Sequence, residues 1–382
     1  MEAPLAPVSV RRTVWTGLAG LAAAMGIGRF AFTPLLPLMQ ADGLVLADGA
    51  WLAVANYLGY LVGALTCIGG NPAPSRAARG GLAAVALSTL GMAAGPSFVA
   101  ALLLRFVAGV ASAFVLVGIS AWALGALAAR RRTEAAGGVY AGVGAGMVAA
   151  GLAALGVALA GGSASTGWAL LGGLAAVVTA WSWRSLGDAP AAAGPGASAA
   201  PRLPRAALAL VACYGAFGFG YILPATFLPA MARELLPDPA VFGWTWPIFG
   251  AAAALSTWGA GVLLRRVSPR ALWAASQLVM AAGVLLPAAA PHSLAALAAS
   301  AVFIGGTFMV ATMAGLQEAR RVAGAAAPRL MAAMTAAFGT GQLAGPLLVG
   351  AGSGAGLSAA AAALVLLLSS GILLIRRSPD IL

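Results

Sequence analysis

Apolar residues fill most of this chain in blocks about as long as a lipid bilayer is thick. A helix needs roughly 20 mainly apolar residues to cross the hydrocarbon core of a membrane, and about 12 segments of the sequence satisfy that length. The predicted spans are residues 13–38, 50–69, 80–95, 98–128, 136–160, 165–186, 206–231, 241–264, 271–290, 293–317, 330–352 and 355–375. The pattern therefore predicts an all-α membrane protein with 12 transmembrane helices.

The basic residues fall on one side of this predicted bundle. An even number of spans places both termini on the same side, and 18 of the 21 basic residues lie before the first span or after an even-numbered one. They are Arg11, Arg12, Arg76, Arg79, Arg130, Arg131, Arg132, Arg184, Arg202, Arg205, Arg265, Arg266, Arg270, Arg320, Arg321, Arg329, Arg376 and Arg377. The opposite side carries only Arg233. Because basic loops stay in the cytoplasm, we predict that both termini are cytoplasmic.

A sequence repeat divides the chain into two halves. Residues 26–39 read GIGRFAFTPLLPLM and residues 218–231 read GFGYILPATFLPAM, a constant offset of 192 residues. Both copies run in the same direction through the membrane, which indicates a parallel repeat about an axis along the membrane normal. We predict a six-helix bundle in residues 1–186, a Pro- and Ala-rich cytoplasmic linker in 187–205, and a second six-helix bundle in 206–382.

Composition excludes most other classes of protein. Only 8% of the residues are charged, against about 25% in soluble domains. Every basic residue is arginine and the one histidine is His292, so a phosphate-binding lysine or a histidine metal cluster is excluded and no cofactor is expected. The net charge of +12 follows from membrane topology and not from nucleic-acid binding. The expected partners are a small-molecule substrate and the lipid bilayer, and we do not expect an enzyme.

Three segments resemble a known family of membrane proteins. LLLRFVAGVASA at 102–113 is similar to a fourth-helix motif of the major facilitator superfamily, an arginine followed four residues later by glycine, here Arg105 and Gly109. The segments 214–231 and 335–350 resemble the YbfB/YjiJ-type bacterial subgroup. The resemblance implies a monomeric secondary transporter of the bacterial inner membrane that works by alternating access. It also implies that helices one, four, seven and ten surround a central cavity.

One part of the superfamily pattern is missing from this chain. Members usually carry an aspartate and paired basic residues between helices two and three. Here that loop reads GGNPAPSRAARG at 69–80, with arginines and no acid. The corresponding segment of the second half, LLRRVSPR at 263–270, also lacks an acid. The usual charge-relay gate is therefore not expected in these loops.

Two arginines, Arg29 and Arg105, lie well inside the predicted spans. A charge at the centre of a bilayer costs at least about 2.5–3.5 kcal/mol on insertion scales, so each guanidinium needs water, a partner or a ligand. Two cations without an intramembrane carboxylate favour an organic anion as substrate, because arginine binds carboxylates in a fork. The alternative is structural: Arg105 bonds carbonyls of helix one, such as those of Phe30 and Thr33, which Pro34 and Pro37 leave free.

Further polar residues in the spans complete the candidate site. Tyr221 occupies the place of Arg29 in the repeat, and Asn56 and Tyr60 share one face of helix two because they are four residues apart. Gln342 belongs to a polar stripe on helix eleven, and an amide inside lipid needs a partner. The predicted substrate-binding residues are Arg29, Arg105, Tyr221, Asn56, Tyr60, Thr33, Gln342 and Tyr140. The alternative for the tyrosines is packing in the core.

The direction of transport follows from electrostatics. A membrane that is negative inside drives anions outwards with about 2.3 kcal/mol per charge per 100 mV, so export of an anion needs no proton site. The predicted spans contain no central Asp or Glu that would relay a proton, although a proton carried by the substrate itself is a remaining alternative. We therefore expect efflux of an organic anion. The alternative function is transport or drug-type export of neutral amphipathic compounds, with the arginines structural.

Overall fold

The computed structural model describes residues 9–70, 72–187, 205–236, 238–350 and 355–375. These residues form α-helices, short 3-10 turns and one π-helical segment, and no strand occurs among them. The prediction of an all-α membrane protein is confirmed. Most of the predicted linker, residues 188–204, lies outside the described residues, as do Arg202, Arg376 and Arg377.

The N-terminal helices, residues 10–187, pack around one another. They are α1 (Val10–Leu21), a π-helical segment (Ala22–Arg29), α2 (Phe32–Ala41), α3 (Leu46–Gly70), α4 (Pro74–Ala93), α5 (Phe98–Ala129), α6 (Ala136–Leu159) and α7 (Ala164–Gly187). The C-terminal helices, residues 205–375, form the second group. They are α8 (Arg205–Leu235), α9 (Pro239–Phe242), α10 (Thr245–Leu263), α11 (Pro269–Ala289), α12 (Leu294–Ala323), α13 (Ala327–Gly350) and α14 (Ala355–Ile375).

The predicted membrane spans all correspond to helices. Nine stretches of the described residues are long and apolar enough to cross a membrane. One of them, Leu294–Ala344, contains two helices, because the 3-10 turn Gly324–Ala326 separates α12 from α13. A shorter apolar stretch, Ala207–Ile222, belongs to α8. The remaining predicted span is α4, whose first turns carry Arg76 and Arg79 and are therefore less apolar.

Helix one is broken near its middle, within the predicted span 13–38, whose glycines and prolines predict an interruption. The segment Ala22–Arg29 winds as a π-helix, and the amide of Phe30 donates to the carbonyl of Met25, 3.0 Å away and five residues earlier. The chain then turns and resumes as α2. Glycine lowers helix stability and π-helical turns often occur at functional sites. The break leaves Arg29 as the last residue of the π-helical segment.

Small residues let helix one lie directly against α6. A methyl group added at Gly142 would overlap the backbone of Leu18, and one added at Gly146 would overlap the carbonyl oxygen of Ala22. Close helix approach of this kind is typical of membrane proteins, in which packing drives association. The spacing of four residues between these glycines keeps both on one face of α6.

The two groups of helices meet along two equivalent interfaces, which we call the inter-half interfaces. One joins α3 to α13 and the other joins α6 to α10. In order of the membrane spans these are helices two and eleven, and five and eight. A shift of six spans exchanges the two pairs, as a parallel repeat requires. Close backbone contact at Gly144 with Gly250, and contact of Gly339 with Leu61, bring the halves together near the middle of the spans.

The halves also contact each other at the end of the bundle that carries the arginine clusters, the arginine-rich end. Cys67, Val117 and Ala332 form a small buried cluster that includes helices of both halves. Glu134, which follows α5, bonds Arg132 at 2.7 Å and lies 3.8 Å from Arg265, which follows α10. The segment 263–270 of the C-terminal half has no acid of its own, and Glu134 of the N-terminal half provides one beside Arg265.

We predict that Gly146→Val destabilises the fold, because its side chain would overlap the backbone of helix one. Overpacking of this kind costs roughly 1–3 kcal/mol, so the apparent melting temperature in detergent should fall. Gly156→Val is the matched control, since Gly156 lies on the same helix with nothing within 4 Å of an added methyl group. Equal melting temperatures of the two variants would contradict the close packing of α1 on α6.

We predict that Glu134→Gln loosens the arginine-rich end. The thiol of Cys67 reports on this, because it is buried against Val117 of the N-terminal half and Ala332 of the C-terminal half and should react faster with N-ethylmaleimide when the halves separate. Exposed ion pairs contribute about 0.2–1 kcal/mol, so in a Cys213→Ser background the labelling rate should rise up to about fivefold. Asp48→Asn, near the opposite end of α3, should leave the rate unchanged. A Glu134→Gln rate equal to that of the parent would contradict a role for this ion pair.

Candidate functional site

Arg29 is buried between the two halves of the bundle. Only 3% of the residue is exposed, and its Nη2 donates a hydrogen bond to Oε1 of Gln342 on α13. The guanidinium carbon lies 3.8 Å from the centre of the Tyr60 ring, a distance that requires contact with the ring face. The rings of Tyr57 and Phe30 lie at 5.5 and 5.7 Å. Arg29, Tyr60 and Gln342, all predicted site residues, therefore meet in one place.

This place has more hydrogen-bond donors than acceptors. Nε and Nη1 of Arg29 are buried without a hydrogen-bond partner, and so is Nε2 of Gln342. Buried polar groups in native proteins are almost always paired, and each unpaired one costs about 1–3 kcal/mol. Three donors from two residues are suited to an acceptor-rich group such as a carboxylate. The described part of the chain places no acid here.

Arg105 has a different environment, although it is equally buried. Its Nη1 donates to the carbonyl of Gly28 at 3.1 Å and its Nη2 to the carbonyl of Arg29 at 3.3 Å. This is the contact with helix-one carbonyls that the structural alternative describes. The carbonyls differ from the expected ones of Phe30 and Thr33, because the helix already breaks at the end of the π-helical segment. The carbonyl of Phe30 instead accepts from the amide of Thr33 at 3.3 Å.

Asn56 supports Arg105 and does not contact Arg29. Its Nδ2 donates to the carbonyl of Arg105 at 3.0 Å, and the backbone of Asn56 lies directly against Gly109 of the same motif. Its Oδ1 is buried without a partner. The arginine and glycine of the motif thus have separate roles: Gly109 lets α3 approach α5, and Arg105 ties α5 to helix one.

Tyr221 joins the site through aromatic rings. It stacks on Phe308 with ring centres 5.1 Å apart and lies 6.1 Å from Phe338. We call these three residues the aromatic wall. Phe308 in turn meets Phe30 edge-on at 6.1 Å, so the wall reaches the ring beside Arg29 across the boundary between the halves. The sequence did not single out Phe308 or Phe338, although Phe338 lies in the segment that resembles the YbfB/YjiJ-type subgroup.

The other predicted residues lie at the margin of this place or outside it. Thr33 is half-buried in the first turn of α2, just beyond Arg29. Tyr140 is fully buried and donates to Oγ of Ser120 at 2.7 Å, so its hydroxyl is already used in the core of the N-terminal helices. Neither side chain has a contact that ties it to Arg29.

One acid in the described residues is buried, and it is already paired. Glu318, near the end of α12, accepts two hydrogen bonds of 2.9 Å from Nε and Nη2 of Arg321. Such bidentate pairs are strong and fix both side chains. Because this pair lies at the arginine-rich end, it does not neutralise Arg29.

We predict that Arg105→Ala destabilises the protein more than Arg29→Ala does. The Arg105 variant leaves two buried carbonyls without their donor, at about 1–3 kcal/mol for each group, whereas Arg29 gives up one bond to a side chain that can rearrange. Thermal unfolding in detergent measures the difference. Arg11→Ala, an exposed arginine of α1, is the control and should not change stability. Equal stability of Arg105→Ala and the parent would contradict the structural role.

Comparison with known proteins agrees with this architecture. Residues 21–377 match a family model described as an uncharacterised MFS-type transporter, YbfB. The crystal structure of the human organic anion transporter MFSD10 (TETRAN) superimposes with a TM-score of 0.72, covering 95% of this chain and 99% of that one at 16% identity. None of the curated proteins matches the sequence. The chain therefore belongs to the YbfB-type family of the major facilitator superfamily, which are transporters and not enzymes.

Proposed function

We propose that this protein is a secondary transporter that moves a small organic anion by alternating access, with Arg29 as the anion-binding residue. One observation carries the proposal: the buried guanidinium of Arg29 retains two free donors beside a free amide donor of Gln342. The structural neighbour MFSD10 is likewise named as an organic anion transporter. At 16% identity that similarity supports the fold, so the substrate class rests on the chemistry of Arg29.

The position of Arg29 between the two halves is compatible with a mechanism of alternating access. Arg29 belongs to the N-terminal half and Gln342 to the C-terminal half, so a ligand held by both would respond to any movement of one half against the other. We propose that residues 1–186 and 206–382 are the two moving bundles, with 187–205 as the cytoplasmic linker. Arg105 has a positioning role, because it bonds the carbonyls of the peptide groups on both sides of the Arg29 Cα atom.

We further propose that the protein works in the bacterial inner membrane as a monomer with both termini in the cytoplasm, and that it exports its substrate. The arginine clusters support this orientation. The membrane potential then drives an anion outwards without a proton site. The buried acid of the described residues, Glu318, is paired with Arg321. A proton would therefore have to travel on the substrate itself.

A second candidate function is transport of neutral amphipathic compounds. One observation favours it: the other buried arginine, Arg105, is held by helix-one carbonyls, and the rings around Arg29 offer a largely apolar surface. In this case Arg29 and Gln342 would serve to hold the two halves together.

A thermal-shift screen of the purified protein separates the two functions. The panel contains mono- and dicarboxylates, sulfonates and phosphate, each organic acid accompanied by its neutral amide. A ligand stabilises the folded state by mass action, so anions but not amides should raise the melting temperature. We expect Arg29→Ala and Arg29→Gln to weaken anion binding at least about tenfold, because a charge-assisted bond is lost.

The exposed arginine variant Arg11→Ala is the matched control and should bind anions like the parent. Efflux of the stabilising anion from proteoliposomes then tests transport itself. The proposal would be overturned if anions bound equally well to the parent and to a folded Arg29→Gln variant. Stabilisation by the amides as strongly as by the acids would instead support the second function.

A further inference from the structure

We infer that the Arg29 site selects planar aromatic monocarboxylates. This inference rests on the proposed anion transport and names the chemical class of the substrate. It combines three features of the structure: the number of guanidinium edges with free donors, the planar shape of the guanidinium, and the aromatic rings near it.

The number of available cations favours a single negative charge. Arg29 and Arg105 are the buried arginines among the described residues. Both Nη atoms of Arg105 are taken up by the carbonyls of Gly28 and Arg29, which leaves only its Nε free, and the buried Glu318 is paired with Arg321 near the C-terminal end of α12. One guanidinium remains for the substrate. The second carboxylate of a dianion would find no further guanidinium edge with two free donors to bind it.

The hydrogen-bonding edge of Arg29 fixes the plane of a bound carboxylate. Guanidinium is planar, and a carboxylate that binds it through two parallel bonds lies in the same plane. Each of the two bidentate edges consists of Nη2 with either Nε or Nη1, and both of these latter atoms are free. A carboxylate on either edge therefore lies next to Gln342, whose Oε1 accepts from Nη2 and whose Nε2 is free to donate.

The rings around Arg29 determine which kind of group attached to the carboxylate binds well. The ring centre of Tyr60 lies 3.8 Å from the guanidinium carbon, so a carboxylate bound to Arg29 lies beside an aromatic ring. In an aromatic acid the ring is conjugated with the carboxylate and shares its plane. Such a flat ring can pack against aromatic neighbours such as Phe30 and the stacked pair Tyr221 and Phe308. A saturated ring is thicker and cannot stack.

Binding affinities of five probes to the purified parent protein test the inference. They are benzoate, 2-naphthoate, cyclohexanecarboxylate, benzamide and phthalate. Benzoate and cyclohexanecarboxylate match in charge and nearly in size, and differ in planarity. Benzamide matches benzoate in shape and lacks the charge. We expect 2-naphthoate to bind at least as tightly as benzoate, and each of the other three to bind at least about fivefold more weakly than benzoate.

Variants of Phe308, Tyr60 and Gln342 show which side chains cause the preference for benzoate over cyclohexanecarboxylate. Phe308→Leu should make benzoate and cyclohexanecarboxylate bind equally, because the stacking surface of the C-terminal half is lost while Arg29 remains. Tyr60→Phe keeps the ring face over Arg29 and should retain the preference, which controls for loss of the hydroxyl alone. Gln342→Glu should weaken benzoate binding at least about tenfold, because a fixed carboxylate competes for Nη2. Gln342→Ala should stay within a few-fold of the parent.

The outcomes separate this inference from the proposal on which it rests. If cyclohexanecarboxylate or phthalate bound as tightly as benzoate, and Arg29→Gln abolished that binding, anion transport would stand and the aromatic monocarboxylate class would be wrong. If the parent bound none of the four carboxylates but an anion from the thermal-shift panel bound in a manner that depended on Arg29, the aromatic monocarboxylate class would be wrong and anion transport would stand; if no anion of either set bound, both would fail. An unchanged preference in a folded Phe308→Leu variant would also overturn the role of the aromatic wall.

Discussion

The structure depends on how two guanidinium groups are accommodated in an environment that does not solvate charge. Removing an ion from water costs several kcal/mol unless hydrogen bonds replace its hydration. Arg105 obtains those bonds from carbonyls of helix one. A regular α-helix uses its own carbonyls in the ladder, so they become available only where the helix is irregular. The π-helical segment and the break after Arg29 are therefore part of the mechanism that keeps Arg105 buried.

The same irregular segment fixes the position of Arg29 between the two halves. Close packing on α6 is possible because Gly142 and Gly146 carry no side chain, and this contact supports the π-helical turns against the rest of the half. Arg105 then holds the peptide on either side of Arg29 from α5. A guanidinium fixed in this way does not have to be ordered when a ligand arrives, which lowers the entropic cost of binding. Arg29 differs from Arg105 in that one of its Nη atoms and its Nε are free, whereas Arg105 has both Nη atoms bonded and only Nε without a partner.

Much of the fold could be predicted from local patterns. The length of the apolar runs gave the spans, the arginine clusters gave the topology that we propose, and the repeat around Gly26 and Gly218 gave the two-part architecture. The sequence also predicted that Arg29, Tyr60 and Gln342 need partners within the protein, because polar groups inside lipid are costly when unpaired. These inferences could be made from the sequence because each depends on neighbours within a few turns of one helix or on comparison of two segments.

The remaining features depend on contacts between residues far apart in the sequence. Arg29 and Gln342 are 313 residues apart, and nothing in either segment names the other as its partner. The contact of Phe30 with Phe308 has the same origin. Glu134 lies beside Arg265, whose own segment 263–270 contains no acid. This pairing follows from the approach of α6 to α10 and cannot be read from either segment alone. The π-helical turns were unexpected because glycine and proline predict an interruption but not its geometry.

The most direct measurement of the central claim is the nuclear magnetic resonance of the arginine side chains. The protein is labelled with 15N-arginine, placed in lipid nanodiscs and titrated with benzoate, and Arg29→Lys and Arg105→Lys identify the two buried Nε–H signals. The account predicts that the Arg29 signal shifts with saturable dependence on benzoate while the Arg105 signal stays in place. A shift of the Arg105 signal with no change at Arg29 would contradict it.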